Sequence, residues 1–368
     1  MKRKRKKILT VVGARPQFIK LAMVSKALCK NFDEVIVHTG QHYDYNMSEL
    51  FFEDMNIPKP DYNLGISGGS HGKMTGEMLI ELEEVMKKEN PDMVVLYGDT
   101  NSTMAAALAA VKLLIPVCHV EAGARLQTLT NPEEVNRIVT DHVSTLLLCC
   151  TKSAISFLEK EGKTEQNGVY LVGDPMYDAF LFYSEKVKGQ LPEKVKSIKG
   201  QDVSLPKDFY YMTCHRQENT KDEKVLRTIL SAMDTLESKT IYPVHPRNKN
   251  TVLEIMDDYK NIIFIEPVGY LTSVYLVNKS KKIVTDSGGI QREAFFAKKQ
   301  CVTIFDFVVW PETMVNDCNQ LAKADKNDIL EKLNKKIVFD EEDLSFGDGK
   351  ASEKIVSIIG DYFRRNEC

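Results

Sequence analysis

The chain has 368 residues, 43% apolar and 27% charged, with a net charge of -3. That length divides most simply into two domains of roughly 150–200 residues. The charge offers no positive face for a nucleic acid, and no apolar run approaches the roughly 20 residues that cross a bilayer.

Lys2–Lys7 is a basic run, KRKRKK, read as a solvated leader rather than an anionic-surface or nuclear-targeting patch. The segment ILTVVG then has strand length and ends at Gly13, and Pro16 opens FIKLAMVSKALC with helical spacing. The cycle repeats through EVIVHTG, a helical ELFFEDM, a helix over residues 77–88, MVVLYG, Ala-rich STMAAALAAVKLL and PVCHV. VTDHVSTLLLCC, a helix over residues 153–161 and VYLVGD follow. Apolar strands separated by helices predict a parallel sheet covered on both faces.

Residues 185–207 are charged, contain Pro192 and Pro206, and mark the domain boundary. The expected division is a first domain over residues 1–180 carrying the acids, a second over 181–350, and a terminal helix over 351–368 that is free to pack back on the first. The second domain restarts with FYYMTC, a helix over 223–236, TIYPVH, NIIFIEP, a helix from Leu271, KKIVTDSGG, a helix through 291–297 and CVTIF. The predicted fold class is α/β, with two doubly wound Rossmann-like domains.

The eight cysteines include no CxxC and sit mostly in apolar runs such as LLLCC, which reads as free buried thiols in a reducing, cytoplasmic compartment. Clustered Cys and His at zinc-ligand spacing is absent from the sequence.

Open parallel sheets bind ligands beyond the carboxyl ends of their strands. Polar groups there are Gly13–Arg15, Gly98–Thr100, His119–Gly123, Cys214–Arg216, Val244–Arg247 and Asp286–Gly289. In TDSGGIQREA, Ser287, Gly288 and Gly289 are expected to turn the backbone tightly and present a helix N-terminus to a phosphate. Glu293 then faces ribose hydroxyls. No P-loop occurs, and GARPQ lacks the dinucleotide glycine spacing, which disfavours NAD.

Arg15, at a helix N-terminus, suggests an anionic ligand, with Lys20 supporting the same charge or simply solvated. His215 and Arg216 are phosphate-binding candidates, and His245 and Arg247 repeat the arrangement. Asp99, Glu121 and Glu133 are carboxylates whose mutual repulsion near a substrate creates proton donors and acceptors. Their bland alternative is capping and pairing with Arg125 and Arg137. Glu134 reads as solvated or paired with Arg137. His38, His42 and His71 read as structural or rim residues, and His142 as packed or surface.

The stretches GARPQFIK, TGQHYD, GDTNST, HVEAG, PEEVNR, HRQEN, HPR and TDSGGIQREA resemble the non-hydrolysing UDP-N-acetylglucosamine 2-epimerase family. Within it, NMSELFF, PKPDYNLGI, GGSHGKMTG, VGYL and SGGIQREAFF look most like the branch acting on UDP-2,3-diacetamido-2,3-dideoxyglucuronate. The resemblance implies two Rossmann-like domains facing across a cleft in the glycosyltransferase-B arrangement, a homodimer, and no metal or redox cofactor. It implies inversion at sugar C2 by anti elimination of UDP and re-addition to a glycal. Asp99, Glu121 and Glu133 match the acids of proton transfer. Arg15 and His215 match residues around the diphosphate, and Ser287, Gly288, Gly289 and Glu293 its nucleotide seat. Gln41, Arg216 and His245 match an allosteric UDP-sugar pocket.

Two segments depart from the family. Relatives usually read GLRSFN where this chain has Gly123–Thr128, and RDxTEWxE where it has FDFVVWPE, so that an arginine, a threonine and a glutamate become Phe305, Val308 and Val309. A later glycine is Asp317. Two alternatives therefore stay open: a glycosyltransferase of the same fold, and a UDP-sugar-binding pseudoenzyme.

Overall fold

The computed structural model describes residues 5–41, 52–191, 194–308 and 310–366. His42, Pro192, Val309, Cys368, Lys2, Arg3, Lys4 and the first three residues of ELFFEDM lie outside them.

The chain divides into two compact units, residues 1–181 with 344–368, and residues 182–343. The division falls inside a helix, whereas residues 185–207 belong wholly to the second unit and include a small antiparallel pair, β8 (Val195–Lys196) with β9 (Asp202–Val203).

Unit 1 holds a seven-stranded parallel sheet ordered β3-β2-β1-β4-β5-β6-β7. Its strands are β1 (Lys7–Val12), β2 (Asp33–His38), β3 (Tyr62–Asn63), β4 (Met93–Tyr97), β5 (Val117–Val120), β6 (Leu146–Cys149) and β7 (Val169–Leu171). β4, β5 and β6 are buried along their whole length, which is why they read as unbroken apolar runs. The helices of this unit are α1 (Arg15–Leu28), α2 (His71–Glu89), α3 (Asn101–Lys112), α4 (Pro132–Val143), α5 (Lys152–Lys160) and α6 (Pro175–Lys186), the last crossing the division. The alanines of α3 leave room for α2: Met78, Leu82 and Met86 meet Ala105, Ala106 and Ala109 over Leu9, Val11 and Leu96.

Unit 2 has six parallel strands ordered β12-β11-β10-β13-β14-β15. β10 (Phe209–Thr213) and β13 (Ile283–Thr285) lie at its centre, flanked by β11 (Lys239–Pro243), β12 (Ile262–Ile265), β14 (Cys301–Thr303) and β15 (Asn319–Leu321). Its helices are α7 (Glu223–Asp234), α8 (Lys249–Ile255), α9 (Tyr270–Lys279), α10 (Gly288–Phe296) and α11 (Lys326–Asn334). Leu226, Ile229 and Met233 of α7 bury one face against Tyr210, Met212 and Tyr242.

The final helix, α12 (Ala351–Arg365), belongs to unit 1. Asp178 of α6 accepts the Ala351 and Ser352 N–H groups at 3.0 and 2.7 Å, and Phe363 meets Phe32 beyond α1 with ring centroids 5.9 Å apart.

Both sheets reverse their direction of winding at the centre, between β1 and β4 in unit 1 and between β10 and β13 in unit 2. Such a switch point opens a crevice at the strand ends, because the two following helices leave to opposite faces. Gly13–Arg15 and Gly98–Thr100 follow the central pair of the first sheet, Cys214–Arg216 and Asp286–Gly289 that of the second.

Candidate functional site

In unit 1 one buried amide ties the two central loops together. Gln17 Oε1 accepts from the Gly13 and Ala14 N–H groups at 2.7 and 3.0 Å, while its Nε2 donates to Tyr97 O at 2.7 Å and Thr103 Oγ1 at 3.0 Å. A Cβ on Gly13 would lie 2.3 Å from both Ser102 Oγ and Thr39 Oγ1, so only glycine fits. Gln41, matched in sequence to an effector pocket, spends its Oε1 on Ser102 N and Oγ at 3.1 and 2.7 Å.

Arg15 is the half-buried first residue of α1. Lys20, one turn further, is buried with its Nζ 2.6 Å from Glu121 Oε2. This corrects the expectation of a solvated lysine: the ammonium is buried on a carboxylate. Glu121 follows β5 with φ +72°, a left-handed conformation that strains a glutamate.

Asp99 follows β4, and its Oδ2 pairs with Arg137 Nη2. Arg137 Nη1 donates to Glu134 Oε2 at 3.0 Å, and Glu134 Oε1 accepts the Leu126 and Gln127 N–H groups at 2.8 and 2.9 Å. Glu134 is thus paired with Arg137 but buried, not solvated. Burial opposes the charge of Arg137, yet Asp99 and then Glu134, with a smaller contribution from Glu121, hold its pKa above the ordinary value. Glu133 is exposed on the first turn of α4, four residues before Arg137 and so on the same row of the helix surface.

His119 fastens this edge. Its Nδ1 lies 2.6 Å from Asp141 Oδ1 and its Nε2 2.7 Å from Gly98 O. Each ring nitrogen thus faces an oxygen, which fixes the plane of the imidazole. Asp141 Oδ2 also accepts from Gly123 N and Arg125 Nη1 at 3.0 and 2.7 Å, and Arg125 forks onto Glu161. Burial would raise the Asp141 pKa; His119 and Arg125 hold it low. Arg125, the residue retained within the altered Gly123–Thr128 segment, is therefore a brace.

In unit 2 the same task falls to Asp286, fully buried after β13. Its carboxylate accepts from His215 N at 2.9 and 3.0 Å, Arg216 N at 2.9 Å and Asn219 Nδ2 at 3.2 Å, and lies 2.8 Å from His215 Nδ1. Burial alone would raise its pKa, but the His215 side chain and the two backbone N–H groups hold it at about 2. The loop after β10 is fixed, with the His215 ring partly exposed.

Ser287 caps α10, accepting from Ile290 N at 3.4 Å. Gly288 and Gly289 are the first two residues of the helix, neither of them left-handed. What they supply is an uncovered helix end. Glu293, on the next turn, is buried, and its Oε2 has no hydrogen-bond partner among the described residues. Burial pushes its carboxyl up to about 8, only partly offset by Arg292 and Tyr270.

His245 accepts from Arg247 N at 3.2 Å, Arg247 Nη1 donates to His215 O at 3.0 Å, and the two histidine rings stand 5.7 Å apart. Arg216 Nε donates to Asp286 O at 3.0 Å, and its guanidinium lies 4.4 Å over the Phe305 ring, which stacks on Phe307. Phe305 thus replaces the family's arginine with a platform for another arginine. Val308 is exposed.

The sequence-predicted residues therefore gather at two strand-end edges: Arg15, Lys20, Gln41, Asp99, Glu121 and Glu133 in unit 1, and His215, Arg216, His245, Ser287, Gly288, Gly289 and Glu293 in unit 2. Gln17 and Asp141 were missed as supports of these loops, and neither carried a strand-end signal. His38 is buried against Phe18, and His71 meets Asn101 at 3.1 Å, both structural, while His142 is exposed. The described cysteines are free and all but Cys29 are buried. No described helix is long and apolar enough to cross a membrane.

A profile described as UDP-N-acetylglucosamine 2-epimerase matches residues 26–360. The chain is 45% identical over 359 residues to a UDP-N-acetylglucosamine 2-epimerase homolog of Methanococcus maripaludis, covering 96% of this chain and 99% of the relative. It is 44% identical over 362 residues to the UDP-2,3-diacetamido-2,3-dideoxy-D-glucuronate 2-epimerase of Pseudomonas aeruginosa, with coverage of 96% and 99%. The crystal structure of Methanocaldococcus jannaschii UDP-GlcNAc 2-epimerase in complex with UDP-GlcNAc and UDP superimposes with a TM-score of 0.85 at 38% identity, covering 96% of this chain and 99% of that one. With the profile spanning nearly the whole chain and full-length relatives on both sides of it, this protein belongs to the UDP-N-acetylglucosamine 2-epimerase family.

Proposed function

We propose that the chain inverts C2 of a UDP-2-acetamido sugar without net hydrolysis, acting on UDP-GlcNAc to give UDP-ManNAc or on the 2,3-diacetamido uronate relative. The observation that carries this reading is the division of labour between the two switch points. Unit 2 offers an open helix end at Ser287–Gly289 beside a buried, partnerless oxygen of Glu293, as a nucleotide requires. Unit 1 offers carboxylates in unlike surroundings, as paired proton transfers require.

In this mechanism Ser287, Gly288 and Gly289 receive a phosphate through N–H groups, and Glu293 receives the ribose hydroxyls. Arg15 and His215 take up charge on the departing diphosphate. A carboxylate removes the C2 proton as the C1–O bond to UDP breaks, leaving a bound glycal and UDP. A second carboxyl group delivers a proton to the opposite face of C2, and UDP adds back at C1. Asp99, Glu121 and Glu133 are the acids for these steps. Retaining UDP beside the glycal makes re-addition intramolecular. The 44% identity to the diacetamido uronate epimerase supports the uronate; the 40% identity to the Methanocaldococcus jannaschii UDP-N-acetylglucosamine 2-epimerase supports UDP-GlcNAc. Homodimeric assembly and a cytoplasmic setting belong to the same reading, the latter supported by the free buried thiols. The Gln41, Arg216 and His245 effector pocket is a further element of it.

The test is NMR in deuterated water over UDP-GlcNAc and the diacetamido uronate. Solvent deuterium should enter C2 of at least one. Tight binding with no exchange would turn the reading to a pseudoenzyme, the option raised by Phe305 and Val308. Sugar transfer to an acceptor without exchange would turn it to a glycosyltransferase.

A further inference from the structure

The three carboxylates proposed to move protons stand on three different elements: Asp99 after β4, Glu121 after β5 and Glu133 on the first turn of α4. One buried pair of side chains ties these elements together. His119, the third residue of β5, is fully buried, and its Nε2 lies 2.7 Å from Gly98 O at the end of β4. Its Nδ1 lies 2.6 Å from Oδ1 of Asp141 on α4, which is also fully buried. Asp141 Oδ2 reaches back to the loop after β5, accepting from Gly123 N at 3.0 Å. A strand end, the loop of the neighbouring strand and a helix are joined around one imidazole.

Gly98 O belongs to the peptide group that leads into Asp99. Gly98 has φ +63°, and a glycine in that conformation does little by itself to hold the peptide in one plane. A carbonyl only accepts, so His119 Nε2 carries the hydrogen of this contact and fixes the Gly98–Asp99 peptide. The following peptide is held from α4, where Asn136 Nδ2 donates to Asp99 O at 2.9 Å. With the Arg137 guanidinium on its carboxylate, Asp99 is gripped at both of its peptides and at its side chain.

We propose that His119 is a positioning residue for Asp99: it fixes the preceding peptide and so aims the carboxylate at C2, while Asp141 keeps α4 in step. The inference rests on the epimerase reading, with Asp99 acting in proton transfer. His119 itself touches no substrate and exchanges no proton with the sugar. Proton transfer tolerates little error in placement, and a displacement of about 1 Å costs on the order of a hundredfold in rate.

The test separates the two ring nitrogens. The amide nitrogen of asparagine stands in for Nδ1 and that of glutamine for Nε2, so His119→Asn gives up Gly98 O and His119→Gln gives up Asp141. Each variant loses one buried hydrogen bond, and each should have a lower Tm. Only His119→Asn should lose turnover: kcat for C2 deuterium exchange should fall about a hundredfold at unchanged KM, whereas His119→Gln keeps most of it. A support of the fold alone predicts turnover that follows Tm in both variants. Equal losses of kcat in the two folded variants, or a normal kcat in His119→Asn, overturn the inference. An unmodified enzyme that exchanges no C2 hydrogen overturns the epimerase reading, and the inference with it. Should His119→Asn not fold, Asn136→Ala decides, because it releases the other peptide of Asp99: a kcat lower by about tenfold or more at unchanged KM supports the inference, and a normal kcat refutes it.

Discussion

Asp286 holds His215 at both ends of the residue: the carboxylate accepts its backbone N–H at 2.9 Å and faces its ring Nδ1 at 2.8 Å. The contact places a histidine at the exposed edge of unit 2 through a wholly buried acid. Asp286→Ala leaves the His215 and Arg216 N–H groups unanswered in the interior, at a cost of about 3 kcal/mol. Calorimetry should show a Tm lower by roughly ten degrees, and titration calorimetry should show UDP affinity reduced by an order of magnitude or more, roughly what misplacing one charge-assisted contact costs. The acid is held at about 2, below its unfolded value. Its contribution is therefore complete above the ordinary carboxylate range and is lost as pH falls from about 4 toward 2. The variant should lack that part of the acid transition.

Asp99→Asn keeps the shape of the side chain and removes a carboxylate proposed to carry protons. C2 deuterium exchange should drop by roughly 10²–10⁴-fold, while UDP affinity stays within about tenfold, because Asp99 is not among the groups proposed to hold the nucleotide. Near-normal exchange would remove Asp99 from proton transfer.

Glu293 titrates in the opposite sense to Asp286. Its folded-state value, about 8, lies above the unfolded one, so the neutral form matches the fold and stability declines as pH climbs from the ordinary carboxylate range to about 8. Glu293→Gln should remove this decline, giving a higher Tm than the unmodified protein at pH 9 and a similar Tm at pH 4. The same change should weaken UDP binding above about pH 8, where it removes the charged acceptor proposed for the ribose. A parallel pH dependence of Tm in both proteins would contradict the assignment.

Two glycine substitutions should have opposite signs. Gly13→Ala forces a methyl group against Ser102 Oγ and Thr39 Oγ1 and should cost about 1–3 kcal/mol in urea unfolding. Gly76→Ala, within α2 and with no atom within 4 Å of the added carbon, should stabilise by about 0.5–1 kcal/mol.

The sheets were legible because strands buried on both faces leave no polar residue within the run, as in Met93–Tyr97. The edge strand Asn319–Leu321 escaped: Asn319 accepts from Thr303 Oγ1 at 2.6 Å, and Gln320 donates to Lys332 O at 3.2 Å, so its buried polar residues are satisfied by side-chain bonds that no apolar pattern announces. Helix α2 begins at His71, six residues before the expected start, because Ser70 caps it and Gly72 and Gly76 weaken the helical signal without ending it.

The site residues that follow strands were found by position alone, since a switch point collects them whatever their spacing. Their supports were not. Asp141 lies within α4 and gains its meaning from His119, 22 residues away and touching it only in the folded sheet. Lys20 resembled any helical lysine until burial placed it on Glu121.

Unit 1 is finished by residues 344–366, which follow all of unit 2 in the sequence. Phe346 O accepts the Asp174 N–H at 2.9 Å, and Asp178 receives the start of α12. During synthesis the earliest 181 residues therefore emerge without the piece that closes their own core, while residues 182–343 are contiguous and complete before them. A polypeptide stopped short of residue 344 would leave Asp178 with no helix to receive and the neighbourhood of Asp174 open, so a premature stop close to the end should abolish turnover even though it spares every proposed proton carrier.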